Sequence, residues 1–265
     1  MNPLDIVMAI TDGAMAAIPR PLPQREQLHA CRIVSHRGEH DGHGIKENTL
    51  AAFRRAHAAG VWGIELDIRF TADDVPVICH DPDLYRVFGL RFAVAEHSLA
   101  ELQLQCSQVP TLAAVIDEFG GHLHLMLETK SEAWPREQRR QAVLSSLLNA
   151  LQPVDDFHLL SLDQDMFQRF SFLPPECMLP VAETNIRQMS EMALQRGYAG
   201  LSGHYLLLSE RLRERHATAG QALGTGFPNS QNCLRRELNR GIDWIFSNHA
   251  IKLERLRQQM LTLRN

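Results

Sequence analysis

The sequence predicts an α/β fold, specifically a (β/α)8 TIM barrel, on three observations. From Arg32 onward, eight short apolar runs alternate with longer amphipathic segments. Strand–helix alternation of this kind implies parallel pairing, because each crossover helix returns the chain to the same end of the sheet. The 265 residues suit one closed barrel. Neither GxGxxG after a strand nor GxxxxGKS/T occurs, which disfavours the open sheets that use those phosphate loops.

Residues 1–30 read as an extra N-terminal helix followed by a proline-broken linker, Pro19–Arg20–Pro21–Leu22–Pro23, ahead of a barrel spanning 31–265. Ile33–Ser35 is a short buried strand. Thr49–Ala59 is an alanine-rich helix capped by Asn48 or Thr49 and stopped by Gly60. Gly63–Asp67 is the second strand, extended by a hairpin that returns to Asp81. Residues 82–110 lack strand character and read as a small insertion, after which Thr111–Phe119 is a helix ended by Gly120–Gly121. His122–Glu128, Phe157–Ser161, Met178–Ala182, Tyr198–Leu201, Gln221–Gly224 and Trp244–Phe246 complete the strands. The helices between and after them are Arg136–Leu151, Gln164–Phe172, Ile186–Arg196, Leu208–Thr218, Gln231–Arg240 and Ile251–Leu263.

Apolar residues make up 45% and charged residues 22% of the chain, ordinary for a globular protein with a large core. A net charge of -4 gives no electrostatic case for nucleic acid or an anionic membrane. The five cysteines are scattered with no CxxC pair, as expected of reduced thiols. The N-terminus lacks a basic start, and no apolar run is long enough for a membrane helix. Together these features point to a cytoplasmic protein with no stable membrane insertion and a small-molecule ligand.

The hairpin GIELDIRFTADDVPVICHD, residues 63–81, carries the chemistry. Ile64, Leu66 and Ile68 alternate with Glu65, Asp67 and Arg69, so period-2 geometry puts both carboxylates on one face. Two such acids are costly to bury unless a cation joins them. If Thr71 pairs with Pro76 across the turn, the register places His80 opposite Asp67. On these residues alone an exposed amphipathic hairpin explains the pattern equally well.

Residues outside the hairpin tip that balance, because barrel sites form at the C-terminal ends of strands. The first strand ends in His36–Arg37–Gly38 and the third in Glu128–Thr129–Lys130. Glu65, Asp67 and Glu128 make a hard oxygen site suited to Mg²⁺ or Ca²⁺. Arg37 and Lys130 supply fixed positive charge fitted to phosphate, and His36 and His80 are groups that ordinarily titrate near neutrality. Such a set describes phosphodiester cleavage. By contrast His124, His158 and His204 read as structural or surface residues, Asn48 as a helix cap, and Arg86 as a brace for the hairpin outside the site.

The motifs HRG (36–38), ENTLAAFRRAHAAG (47–60), GIELDIRFTADDVPVICHDPDLYR (63–86), VPTL (109–112) and LETK (127–130) resemble the glycerophosphodiester phosphodiesterase family. The resemblance covers the first half of the chain, and the second half agrees mainly in its βα rhythm. It implies a barrel enzyme that hydrolyses glycerophosphodiesters to an alcohol and sn-glycerol 3-phosphate. On that pattern Glu65, Asp67 and Glu128 hold the divalent metal, His36 and His80 form the acid–base pair, and Arg37 and Lys130 hold the phosphate. Glu47 falls at the edge of the metal or glycerol site. The family's reaction runs through attack by the glycerol 2-hydroxyl and a cyclic phosphate that water opens.

The chain departs from the pattern in the loop Glu39–Lys46, which is longer than usual. It departs again at Gly226–Phe227–Pro228–Asn229, where the family carries a tryptophan, and at Ser247–Asn248–His249–Ala250, in place of Thr-Asp-x-Pro. Trp244 also stands where a small residue is common. These changes bear on substrate choice more than on reaction type, and the long loop and altered wall near Phe227 leave room for a lysophospholipid substrate, as a lysophospholipase D would take; a non-catalytic anion-binding barrel is a separate alternative.

Overall fold

The computed structural model describes residues 13–264. Eight parallel strands close a barrel: β1 (Arg32–His36), β2 (Gly63–Phe70), β4 (His124–Thr129), β5 (Phe157–Ser161), β6 (Met178–Ala182), β7 (Gly200–His204), β8 (Ala222–Gly226) and β9 (Trp244–Ser247). Pairing runs β1-β9-β8-β7-β6-β5-β4-β2, and β1 pairs with β2 to complete the ring. The short β3 (Pro76–Ile78) lies antiparallel against the upper part of β2.

The surrounding helices are α1 (Arg25–Ala30), α2 (Leu50–Ala58), α3 (Tyr85–Phe88), α4 (Leu99–Gln105), α5 (Leu112–Phe119), α6 (Glu137–Leu148), α7 (Ile186–Arg196), α8 (Glu210–Thr218), α9 (Gln231–Asn239) and α10 (Ala250–Thr262). Caps set several of their starts: Thr49, Thr111, Ser209 and Ser230 each accept a hydrogen bond from a backbone N–H in the first turn of the helix that follows. The expected helix Gln164–Phe172 is a 3-10 helix over Gln164–Phe170. The first twelve residues, which carry most of the expected N-terminal helix, lie outside the described residues. Residues 13–17 are helical, and α1 lies between the expected linker Pro19–Pro23 and the first strand.

Alternation along the strands sorts the core into two layers. Ile64, Leu66, Leu125, Leu127 and Leu159 face outward into the cluster shared with the helices, whereas Val34, Met126, Leu160, Leu179 and Phe246 fill the barrel interior. Glu65, Asp67 and Glu128 therefore point inward with the second set. The segment between β3 and α5 has its own apolar cluster, with Val77, Leu84, Val94, Leu102 and Val109 buried.

The hairpin register differs from the expected one. Phe70 pairs with Pro76 and Ile68 with Ile78, one residue out of step with a Thr71–Pro76 pair. The ladder therefore brings Cys79, not His80, level with Asp67, and the Cys79 N–H donates to Asp67 O at 2.9 Å. A strict strand would turn His80 to the other face, but β3 ends at Ile78 and the chain leaves the ladder. Arg69 Nε holds the His80 carbonyl at 2.9 Å, fixing this exit.

At the opposite end of the barrel the interior is closed by a histidine pair, as the structural reading of His124 and His158 expects. His124 Nδ1–H donates to Asp155 O at 3.0 Å, leaving its Nε2 to accept from His158 Nδ1–H at 2.8 Å. Trp62 stacks on His124 at 4.2 Å, and Trp244 meets His158 edge-on at 5.1 Å. Trp244 thus belongs to the barrel base and not to the substrate wall. Burial pushes His124 down to about 4 and His158 to about 3, and nearby Arg32 adds to both shifts. Both folded pKa values lie below the unfolded one, so the unfolded chain binds more protons as pH falls, and this part of the stability is present above about pH 6.5 and lost toward about pH 4. In urea unfolding between pH 7.5 and 4.5 the pair is expected to account for up to about two of the extra protons bound by the unfolded chain as wild-type stability falls. A His158→Gln variant should have the flatter slope, and equal slopes would refute the role of the pair.

Candidate active site

Strand register assembles the site. The β1–β2 pairing sets His36 level with Glu65, and the β2–β4 pairing sets Asp67 level with Glu128. Ligand-capable oxygens of Glu65, Asp67 and Glu128 all lie within 4.8 Å of one another, and all three residues are buried.

After His36 the backbone turns sharply, with Arg37 at φ 57° and Gly38 at φ 75°. A Cβ at residue 38 would lie 2.8 Å from the Ala52 Cβ, so glycine lets α2 close against this turn. The turn aims the Arg37 N–H at Glu65 Oε2 (3.1 Å) and its guanidinium at Glu47 Oε1 (3.0 Å) and Asp67 Oδ2 (3.3 Å). Asn48 is also left-handed, at φ 55°, a conformation its residue type tolerates. It is not the helix cap, since Thr49 takes that role. The Asn48 backbone N–H donates to Arg37 O at 2.9 Å, and its side-chain amide donates to Asp67 Oδ2 at 2.7 Å. Lys130 Nζ bridges Asp67 and Glu128.

The carboxylates do not behave alike. Burial raises the pKa of Asp67, but Lys130 and Arg37 outweigh it and bring this acid down to about 2. Glu65 is held well above the usual range by burial, then by the negative charges of Asp67 and Glu128. Glu128 is raised by burial and by Asp67. With all three ionised, three acids against two cations leave an excess of negative charge, which is part of what raises Glu65 and Glu128, and Glu65 Oε1 is buried with no hydrogen-bond partner. An all-oxygen donor set, an orphaned carboxylate oxygen and surplus negative charge fit a hard divalent cation.

His36 Nδ1–H donates to Asn248 Oδ1 at 2.6 Å, leaving Nε2 3.7 Å from Glu65 Oε2. His80 Nδ1–H donates to Asp81 Oδ1 at 2.7 Å. Both imidazoles are shifted below their ordinary value. Burial and then the Arg37 charge push His36 down to about 4, and burial lowers His80 as well. Both rings are therefore neutral at pH 7, with Nδ1 protonated and Nε2 carrying the lone pair.

His36, Arg37, Glu65, His80, Glu128 and Lys130 line one side of a cleft of about 480 Å³, whose far side is mostly apolar and includes Leu162, Val181 and Phe227. The Phe227 ring lies 4.8 Å from that of His36, so it supplies an apolar wall where the family tryptophan is missing. His204, expected to be structural or surface, lines this cleft and accepts a hydrogen bond from the Leu206 N–H at 3.3 Å. Arg86, read from the sequence as a brace for the hairpin outside the site, contacts both Asp81 and Glu47. The residue reading also passed over Asp81 and Asn248. Asp81 follows His80 directly and could have been found, whereas only the fold brings Asn248 to His36.

The chain is similar to known proteins in the same terms. The family described as "Glycerophosphoryl diester phosphodiesterase family" matches residues 36–201. Glycerophosphodiester phosphodiesterase 1 of Rattus norvegicus is 45% identical over 67 residues, which are 23% of this chain and 20% of that protein. The matched stretch thus spans about a fifth of that relative's length. The glycerophosphodiester phosphodiesterase of Bacillus subtilis is 26% identical over 246 residues, 82% of this chain and 83% of that one. Among solved structures, an Oleispira antarctica phosphodiesterase in complex with the product sn-glycerol-3-phosphate aligns with a TM-score of 0.72 at 24% identity, covering 86% of this chain and 96% of that one. Since the family match spans the HRG turn, the carboxylate strands and the His80 hairpin, this chain belongs to the glycerophosphoryl diester phosphodiesterase family.

Proposed function

We propose that the chain hydrolyses glycerophosphodiesters to an alcohol and sn-glycerol 3-phosphate, with a divalent cation, Mg²⁺ or Ca²⁺, held by Glu65, Asp67 and Glu128. The observation that carries this reading is that His36 and His80 line the same cleft as Glu65 and Glu128, two of three clustered buried carboxylates. When bound, the cation supplies Lewis acidity toward the phosphate and neutralises the surplus charge of the acids. Arg37 and Lys130 stabilise the negative charge that builds on the phosphoryl oxygens. Of the two imidazoles, one accepts the proton of the attacking hydroxyl at Nε2; the other, neutral in the free protein, takes up a proton at Nε2 when the anionic diester binds beside it and delivers that proton to the departing alkoxide. An attacking glycerol 2-hydroxyl gives a cyclic phosphate, which water opens with the proton roles reversed. Glu47 acts at the edge of the site by orienting Arg37. The five buried, unpaired cysteines suit a reducing compartment, so a cytoplasmic place of action belongs to the same proposal.

Incubation of the purified protein with glycerophosphocholine and Mg²⁺ or Ca²⁺ is expected to release glycerol 3-phosphate, measured by a coupled dehydrogenase assay. EDTA should stop the release, and re-added cation should restore it. No release from a panel of glycerophosphodiesters under any cation would overturn the reading. The side chains of Leu162 and Phe227, both more than a third exposed and both on the cleft, favour a second reading in which an acyl chain lies on the apolar side. Including the matching lysophospholipid in the panel decides between them by kcat/KM.

A further inference from the structure

We infer that Arg86 is a positioning residue that locks the His80 arm of the site to the Arg37 arm; the inference rests on the hydrolytic reading above. Arg86 lies on α3, a helix of only four residues in the segment that packs into its own apolar cluster away from the barrel. Its guanidinium nonetheless reaches back to the rim and joins two carboxylates from different parts of the chain. Nε donates to Asp81 Oδ2 at 2.6 Å. Nη1 and Nη2 donate to Glu47 Oε2 at 3.0 Å and Oε1 at 2.7 Å.

Each of those carboxylates holds a group that lines the cleft. Asp81 uses its other oxygen, Oδ1, to accept the Nδ1–H of His80 at 2.7 Å. Glu47 accepts from Arg37 Nη1 at 3.0 Å. One planar cation thereby fixes the orientation of an imidazole and of a phosphate-facing guanidinium at once. The imidazole comes from the hairpin and the guanidinium from the turn after β1, and the ladder does not join these two segments at that level: β3 ends at Ile78, before His80.

The chemistry of arginine suits this place. A guanidinium offers donors in a rigid fork and can bond a carboxylate with two parallel hydrogen bonds while its remaining edge serves a second one. A lysine ammonium is a point charge and cannot hold both carboxylates in one plane. Because the Arg86 side chain is 49% exposed, its bridges contribute little to global stability. The contribution is geometric: without Arg86 the Asp81 carboxylate is free to rotate, and the His80 ring turns with it. A misplacement of about 1 Å in a reacting group costs on the order of 10²-fold in rate.

The test compares wild type with Arg86→Lys and Arg86→Ala by steady-state kinetics on glycerophosphocholine, thermal melting, and NMR of the His80 Nδ1–H resonance. The expected result is a fall in kcat of about 10²-fold in both variants, with KM within about twofold of wild type and melting only slightly changed. The His80 Nδ1–H signal should broaden through solvent exchange. In an Asp81→Asn background the Arg86→Lys change should cost little more, because the two act through one contact. A kcat within twofold of wild type, a parallel loss of kcat and melting temperature, or an unchanged His80 signal would each overturn the inference. If wild type turns over no diester, the proposed reaction fails, and the NMR signal alone decides whether Arg86 orients His80.

Discussion

Replacing His36 or His80 by alanine is expected to lower kcat for glycerol 3-phosphate release by roughly 10²–10⁴-fold, the usual worth of a general acid or base. Each ring donates Nδ1–H to a fixed acceptor, Asn248 for His36 and Asp81 for His80, so Nε2 is the atom left for proton transfer. The two losses should differ in character. His36 is held by a neutral amide between cations, and its alanine variant leaves Asn248 without that partner but adds no charge imbalance. His80 is backed by a carboxylate that Arg86 still neutralises in the variant. Neither change should disturb folding, so melting temperatures near wild type are the control. The double variant should be scarcely slower than the worse single one if the two rings serve one proton circuit. Wild-type rates in either single variant would remove that residue from the reaction.

How much of this site is legible in the sequence follows from which geometry each residue depends on. Glu65, Asp67 and Glu128 are legible because a strand's two-residue period dictates a shared face, and the structure turns that face into the barrel. His36 is legible because barrel chemistry collects where strands end. The hairpin shows the limit of that reasoning. Register depends on turn geometry, and the turn here places Phe70 opposite Pro76, one step from the expected pair. His80 still reaches the cleft because the strand stops short, a tertiary event held by Arg69 that no periodicity encodes. Asn48 was hidden for a different reason. Asn and Thr are both good caps, and only the backbone shows that Thr49 caps α2 while Asn48, left-handed and buried, holds Asp67. Asn248 and Arg86 act across gaps of 212 and 39 residues, where local pattern carries no information. The depressed histidines were equally out of reach, because desolvation is a property of the closed barrel.

Removing the Asp67 carboxylate is expected to be the most damaging single change in the site, and Glu65 supplies the contrast that explains why. Asp67 is fully buried and accepts from Asn48, while Arg37 and Lys130 sit on its two oxygens. Asp67→Ala leaves two buried cations facing each other without their shared counter-charge. Breaking a buried pair in this way costs about 3–5 kcal/mol, which for a chain of this size lowers the melting temperature by roughly 10 °C. Activity should fall below detection. Glu65 stands in the opposite position: its folded pKa is raised, so the fold already favours its protonated form, and its Oε1 has no partner. Glu65→Gln should therefore leave the cation-free protein at least as stable as wild type, because the neutral amide stands in for the protonated carboxyl that the fold already favours. The two variants converge once a cation is added. Wild type should gain thermal stability with saturating Mg²⁺ or Ca²⁺ through ligand binding to the folded state, and neither variant should gain. That gain should shrink as pH falls, since Glu65 then keeps the proton a cation must displace. A Glu65→Gln protein that still melts higher with added cation would place the ion elsewhere. An Asp67→Ala protein as stable as wild type would show that Lys130 and Arg37 do not depend on Asp67 for their charge balance.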